Sequence, residues 1–181
     1  MQNRQYKKKR NFFNPKWFLP LFLVFLVFFD GSLMLVVSNL VNSVKLAILP
    51  NLTLLFIFYI IRFDLASSFN FYLWVGVIGF IFDLYYTQAF GTYIIAFLFS
   101  AFVMNYLDHL LNKSLLNSGL IFFGGVVVFY FIAVFAGLLT NVIDISLSQY
   151  FVYVFLPTAV FNLILEYLLY MPISWVSYEF I

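Results

Sequence analysis

The stretch GLIFFGGVVVFYFIAVFAGLLT, residues 119–140, decides the fold. It contains no charged side chain, and a helix needs about 20 apolar residues to cross the hydrocarbon core of a bilayer. A membrane β-strand would instead alternate apolar and polar residues over about ten positions. The stretch therefore predicts a membrane-spanning helix.

Similar apolar runs lie on both sides of this stretch, at 17–38, 46–62, 70–86, 89–107 and 150–171. Of the 181 residues, 65% are apolar and only 9% are charged, whereas a soluble domain carries about 25% charged residues. We predict an all-α integral membrane protein, a bundle of six transmembrane helices at 17–172 between a basic tail at 1–16 and a short tail at 173–181. The third and fourth runs are nearly continuous, which predicts a tight helical hairpin. Pro50 is expected in the first turns of the second helix.

The basic residues predict the orientation. Lys7, Lys8, Lys9 and Arg10 precede the first helix, and such residues favour the cytoplasmic side. With the N-terminus inside, eight of the nine Lys and Arg residues are cytoplasmic and only Lys45 is outside. Six spans then place the C-terminus on the cytoplasmic side as well, in a bacterial plasma membrane. The first run is too long for a secretory signal, and the basic tail is expected against anionic lipid headgroups.

Two acids fall inside predicted spans. Asp30 and Asp83 lie roughly 18 Å and 20 Å from the inner ends of their helices, so they share a level in the outer half of the bilayer. Ionisable residues at such depths usually face protein or water. One interpretation is a site linked to a cation or a proton. The other, which we favour because a pump normally has several acids near the midplane, is that each carboxylate caps or hydrogen-bonds a broken helix end, or lies at the outer interface.

A second polar group is predicted near the inner face. Glu166 lies late in the sixth helix, and Asn162 precedes it by one turn on the same side. Arg62 ends the second helix at a matching depth, which predicts an ion pair between Arg62 and Glu166. Asp108 and His109 are expected in an inner loop.

The sequence predicts no catalytic residue, metal site, cofactor or nucleic-acid partner. It contains no cysteine and one histidine, and no phosphate-binding loop, nucleophile elbow or zinc signature.

Gly76 and Gly79 lie one turn apart, and small residues let membrane helices approach closely. Such packing is expected mainly within one chain, with a homodimer as the alternative. Pro157 is expected to kink the last helix, because it lacks a backbone donor.

One stretch carries a family resemblance, GVIGFIFDLYYTQAFG at residues 76–91. It resembles the signature of the rod shape-determining protein MreD family, in which glycines precede an Asp near a helix end and a short link ends in Gly. The matching positions here are Gly76, Gly79, Asp83 and Gly91. The step Phe29-Asp30-Gly31 is similar to one in Gram-positive members.

The resemblance implies a function without enzymatic activity. It implies a membrane scaffold of the cell-elongation machinery that regulates cell shape and lateral peptidoglycan synthesis by binding a MreC-like bitopic membrane protein. Further implied partners are a RodA-type transglycosylase, its transpeptidase and MreB. The implied fold is similar to the substrate-binding subunits of energy-coupling-factor transporters, which gives an alternative function as a subunit of a vitamin-type importer. The scaffold is favoured because the predicted outer loops are short and apolar.

Overall fold

The structure is a computed structural model that describes residues 15–41, 46–86, 90–140 and 146–178. These residues form helices and connecting segments, with no strand among them. The helices are α1 Pro15–Val41, α2 Leu52–Arg62, α3 Phe71–Tyr86, α4 Thr92–Leu110, α5 Leu115–Leu139, α6 Leu147–Tyr150 and α7 Leu156–Tyr178. A 3-10 turn, Leu65–Ser68, follows α2, and a π turn, Phe151–Phe155, joins α6 to α7. We call α6, the π turn and α7 together the last helix.

In the part of the chain that the structure describes, four helical stretches are long and apolar enough to cross a membrane, Phe18–Val37, Thr92–Leu110, Leu115–Leu139 and Leu147–Trp175. The chain is therefore an all-helical, multi-pass membrane protein. The sequence predicts six spans of similar length, but α2 has 11 residues and α3 has 16. At 1.5 Å per residue these two helices are about 16 Å and 24 Å long.

The short helix α2 forms the centre of the bundle. Nine of its 11 residues are buried, and it contacts α1, α4, α5 and α7. Phe58 of α2 packs on Phe122 of α5, with ring centroids 5.5 Å apart. A helix that is apolar on every side is buried either in protein or in lipid. Since α2 is buried by four other helices, it is the core around which the longer helices assemble.

The beginning of α2 differs from the prediction. The helix starts at Leu52 and not at residue 46, so Pro50 precedes it. A proline disfavours helical geometry in the residue before it, and the Asn51 side chain accepts the Leu54 N–H at 2.9 Å as an N-cap. Residues 46–51 are consequently a non-helical segment, although their composition is as apolar as that of a span.

Other boundaries also shift. The helix α4 continues to Leu110, so Asp108 and His109 lie in its last turns and not in a loop. The helix α7 runs to Tyr178, past the predicted start of the tail at 173. The predicted hairpin is confirmed, because α3 ends at Tyr86 and packs along α4, which begins at Thr92. The basic residues Lys7, Lys8, Lys9 and Arg10 lie outside the described residues.

Candidate functional site

The non-helical segment 46–51 packs against the start of the last helix. Pro157 has no N–H to offer to the carbonyl four residues earlier, that of Tyr153. That carbonyl instead accepts the Ala47 N–H at 2.9 Å. The helix passes through a π turn, Phe151–Phe155, directly before Pro157. A π turn directly before Pro157 therefore leaves one carbonyl free for a distant backbone group, and the kink expected at Pro157 stays a prediction.

Two polar side chains of α7 hold the rest of this segment. Thr158 Oγ1 accepts the Leu49 N–H at 3.1 Å. Asn162 Oδ1 accepts the Asn51 N–H at 2.9 Å, and its Nδ2 donates to the Leu49 carbonyl at 3.0 Å. Tyr130 of α5 donates to the same carbonyl at 3.0 Å. Backbone groups that leave a helix inside a membrane need partners from the protein, and these side chains supply them.

Asp30 of α1 caps the start of α2. Its Oδ1 accepts the Leu52 N–H at 2.8 Å, and its Oδ2 accepts the Thr53 N–H at 2.9 Å and the Thr53 hydroxyl at 2.6 Å. The first N–H groups of a helix have no partner within the helix, and their partial positive charge favours a carboxylate. The helix-end interpretation of Asp30 is thus confirmed.

Asp83 of α3 has the same relation to α4. Its Oδ2 accepts the Gly91 N–H and its Oδ1 the Tyr93 N–H, both at 2.9 Å. Gly91 has a φ of +93°, a left-handed conformation that favours glycine. In both hairpins, then, an acid on the first helix binds the N-terminal amides of the second.

Gly31 and Gly79 allow helices to approach closely. An added Cβ at Gly79 would lie 2.5 Å from Ile94 Cα, so α3 and α4 are in backbone contact there. An added Cβ at Gly31 would overlap the hydroxyl of Tyr86, which donates to the Val27 carbonyl at 3.0 Å. Gly79 therefore allows α3 to pack closely against α4, and Gly31 allows α3 to pack closely against α1.

Gly76 differs from its neighbour Gly79. An added Cβ at Gly76 would meet no heavy atom of the described residues within 4 Å. The predicted packing role within the chain thus applies to Gly79 and not to Gly76.

The predicted ion pair between Arg62 and Glu166 is wrong. Arg62 Nη1 lies 2.6 Å from Asp108 Oδ1, and Arg62 Nη2 donates to the Ser114 carbonyl at 2.9 Å. Glu166 Oε1 instead accepts the Ser118 hydroxyl at 2.6 Å. The prediction placed Asp108 in a loop, whereas the longer α4 brings it into the bundle and nearer to Arg62. The pair ties the ends of α2 and α4 to the start of α5.

Glu166 and Asn162 lie on the same buried side of α7, as predicted, but they bind different elements. Tyr59 of α2 donates to the Glu166 carbonyl at 2.6 Å. Among the described residues, Glu166 Oε2 has no hydrogen-bond partner. Asn162 faces the segment before α2, and Glu166 faces α5 and the second half of α2.

Two apolar grooves open on the outside of the bundle. The first, the α1–α7 groove, has a volume of about 350 Å³ and runs over α2 between α1 and α7; its lining includes Phe18, Phe22, Leu52, Phe56, Leu169 and Ile173. The second, the α5–π groove, has a volume of about 560 Å³ and separates α5 from the start of the last helix; its lining includes Phe123, Phe131, Phe135, Tyr150, Phe151 and Phe155. Both are lined by aromatic and aliphatic side chains, so they suit apolar occupants.

Sequence reasoning missed several residues of these networks. Thr53 and Thr158 are small polar residues in apolar runs, and Ser118 directly precedes one, so the sequence pattern does not single them out. The signal for the start of α2 was present, because Pro50 and Asn51 form a helix-start pattern.

Comparison with protein-family models, curated proteins and solved structures gave no match to this chain.

Proposed function

We propose that this chain is a membrane scaffold subunit of a bacterial cell-elongation machinery, regulating cell shape and lateral peptidoglycan synthesis. The proposal starts from the resemblance of residues 76–91 to the MreD family. The residues that carry this resemblance, apart from Gly76, assemble the α3–α4 hairpin through Gly79, Asp83 and Gly91. They support the fold itself, so partner recognition belongs to another surface.

The observation that carries the proposal is the α1–α7 groove. It extends from Leu52 at the start of α2 to Leu65 just after its end, so it follows the whole length of α2, about 16 Å. Its floor is the central helix, which other helices cover on the remaining sides. A single apolar helix in this groove would complete the shell around α2, as expected for a MreC-like bitopic partner. Through that partner the scaffold would reach a RodA-type transglycosylase, its transpeptidase and MreB.

We further propose that the chain crosses the membrane six times, with both termini in the cytoplasm. A crossing needs about 30 Å. The helix α2 supplies about 16 Å, and the six residues 46–51 supply up to about 20 Å. Thr158 and Asn162 bond backbone groups of these six residues, and Asp30 bonds those at the start of α2, which makes non-helical backbone tolerable at membrane depth. The basic residues favour the cytoplasmic orientation.

The importer alternative needs a pocket with several polar groups that converge on a ligand. The polar side chains at this end of the bundle instead bind backbone. Asp30 binds the start of α2, and Asn162 and Thr158 bind the segment before it. This arrangement favours the scaffold over the importer.

The proposal is tested by purifying the tagged chain from membranes together with a MreC-like partner. Leu169 lines the groove, whereas its neighbour Leu168 is 67% exposed outside it. We expect Leu169→Trp to fill the groove and reduce recovery of the partner, and Leu168→Trp to leave recovery unchanged. Gel filtration of both variants checks that they remain folded. Equal recovery with both variants would reject the groove, and purification with a vitamin-like molecule and no bitopic protein would reject the scaffold.

A further inference from the structure

The exposed surface shared by α3 and α4, which we call the α3–α4 face, is apolar and uncharged. Its exposed residues include Leu73, Phe80, Leu84, Phe99, Phe102 and Tyr106. The two acids of these helices, Asp83 and Asp108, are both buried. Two like copies of such a face would bring no like charges together.

Gly76 makes a notch in this face. It lies one turn after the exposed Tyr72, on the same side of α3, and open space surrounds the position of its missing Cβ in the described structure. A glycine inside a helix costs roughly 0.5–1 kcal/mol relative to alanine. Gly79 offsets that cost by admitting Ile94, whereas Gly76 has no such contact with the described residues. A second helix at the notch would give Gly76 a comparable contact.

A polar pair flanks the notch. Asn105 Nδ2 of α4 donates to the Tyr72 hydroxyl at 3.2 Å on the exposed surface. No described residue donates to Asn105 Oδ1 or accepts the Tyr72 hydroxyl proton. The pair therefore presents one acceptor and one donor outward. Gly76 lies five residues after the start of α3 and Asn105 five residues before the end of α4, about 8 Å along each helix. The notch and the polar pair are therefore at the same height along the hairpin.

We propose that a second copy of this chain binds the α3–α4 face. A two-fold axis along the membrane normal brings residues of equal depth together, and such an interface must complement itself. Gly76 facing Gly76 lets two α3 helices approach closely, and the outward donor and acceptor can each bind their counterpart in the other copy. A lipid acyl chain could fill the notch, but it has no hydrogen-bonding group for the Asn105 side-chain amide. This inference concerns a different face from the α1–α7 groove and does not depend on the proposed function.

The chain contains no cysteine, so single cysteines report on this face without background. We expect Leu73→Cys and Phe80→Cys to form disulfide-linked dimers on mild oxidation in native membranes. Phe131→Cys on α5 and Leu168→Cys on α7, which are 70% and 67% exposed on other faces, are the controls and should remain monomeric. Adding Gly76→Leu to the Leu73→Cys chain should lower its crosslinked fraction to the control level.

Folding and partner binding are checked separately. Gly76→Leu has open space around it, so the variant should stay folded: it should elute from gel filtration as one sharp peak at the size of a monomer, keep its helical circular dichroism spectrum and still recover the MreC-like partner. Crosslinking at Leu73 and Phe80 no greater than at the controls would overturn the proposal. So would an adduct that mass spectrometry identifies as another protein, or dimers that persist after Gly76→Leu.

Discussion

Asn51 and Asn162 are 111 residues apart in sequence, and the Asn51 N–H donates to Asn162 Oδ1 at 2.9 Å in the buried interior. The same side chain of Asn162 also donates to the Leu49 carbonyl. One amide of α7 therefore satisfies both a donor and an acceptor of the segment that precedes the central helix. The position of α2 depends on this long-range contact.

We expect Asn162→Leu to destabilise the protein by about 1–3 kcal/mol, the cost of a buried backbone group left unpaired, because the Asn51 N–H loses its acceptor while Tyr130 still donates to the Leu49 carbonyl. Thermal unfolding in detergent, followed by circular dichroism, measures the change. The control is Asn117→Leu, because Asn117 bonds the Asn112 carbonyl at an exposed site. A melting temperature equal to that of the control would contradict the role given to Asn162.

Asp30→Ala should lower the stability by about 2 kcal/mol, the upper range for loss of a helix cap, because the Leu52 and Thr53 amides and the Thr53 hydroxyl lose their acceptor. Ser32→Ala is the matched control, since Ser32 is exposed and bonds only its own helix at Phe28. The measurement is the melting temperature of both variants. If Asp30→Ala unfolds no earlier than Ser32→Ala, the capping role of Asp30 is wrong.

The two glycines of α3 should respond oppositely to alanine. Gly79→Ala places a Cβ 2.5 Å from Ile94 Cα, so we expect marked destabilisation. Gly76→Ala meets open space and should be neutral or stabilise the folded chain by up to about 1 kcal/mol. Comparison of the two melting temperatures in detergent decides the matter, and an equal loss at both sites would contradict the packing described for α3 and α4.

Arg62→Met should destabilise the bundle by about 3–5 kcal/mol, because Asp108 would remain buried without its cation. Replacing both residues, with Arg62→Met and Asp108→Leu, should recover much of that loss. Of the two acids Asp108 and Glu166, it is Asp108 that lies within 4 Å of Arg62. A variant in which Arg62 and Asp108 exchange places should therefore assemble better than one in which Arg62 and Glu166 exchange places. Rescue by Glu166 instead would favour the pair predicted from sequence. Expression level and gel filtration are the readouts.

The proposed orientation is tested by labelling single cysteines. An impermeant maleimide added to intact cells should modify Ser148→Cys, which is exposed at the start of the last helix. Lys113→Cys, in the α4–α5 connection, should react only after the membrane is permeabilised. The reverse pattern would place the N-terminus outside. Reaction of both sites in intact cells would exclude a crossing by α5.

Continuous apolar runs predict the helices well, because lipid exposure demands long apolar surfaces. They do not predict the centre of the bundle, since α2 is apolar for a different reason, its burial in protein. The capping roles of Asp30 and Asp83 can be predicted because an ionisable side chain inside a membrane is costly unless protein binds it. Which N–H groups each carboxylate binds cannot be predicted, because that depends on how the neighbouring helices pack. The Arg62 prediction failed because depth matching considered only residues inside predicted spans. Shifting the end of α4 by one turn introduced a better partner, Asp108.

The π turn before Pro157 has a consequence for biosynthesis. The carbonyl that it frees and the side chains of Thr158 and Asn162 are synthesised later than the amides that they bind, which belong to residues 47–51. Until the last helix enters the bilayer, those amides need water or the insertion machinery. The segment before α2 thus gains these partners only after residues 153–162 have been made, so a ribosome that stalls before residue 158 would leave the central helix unanchored and open to quality-control proteases.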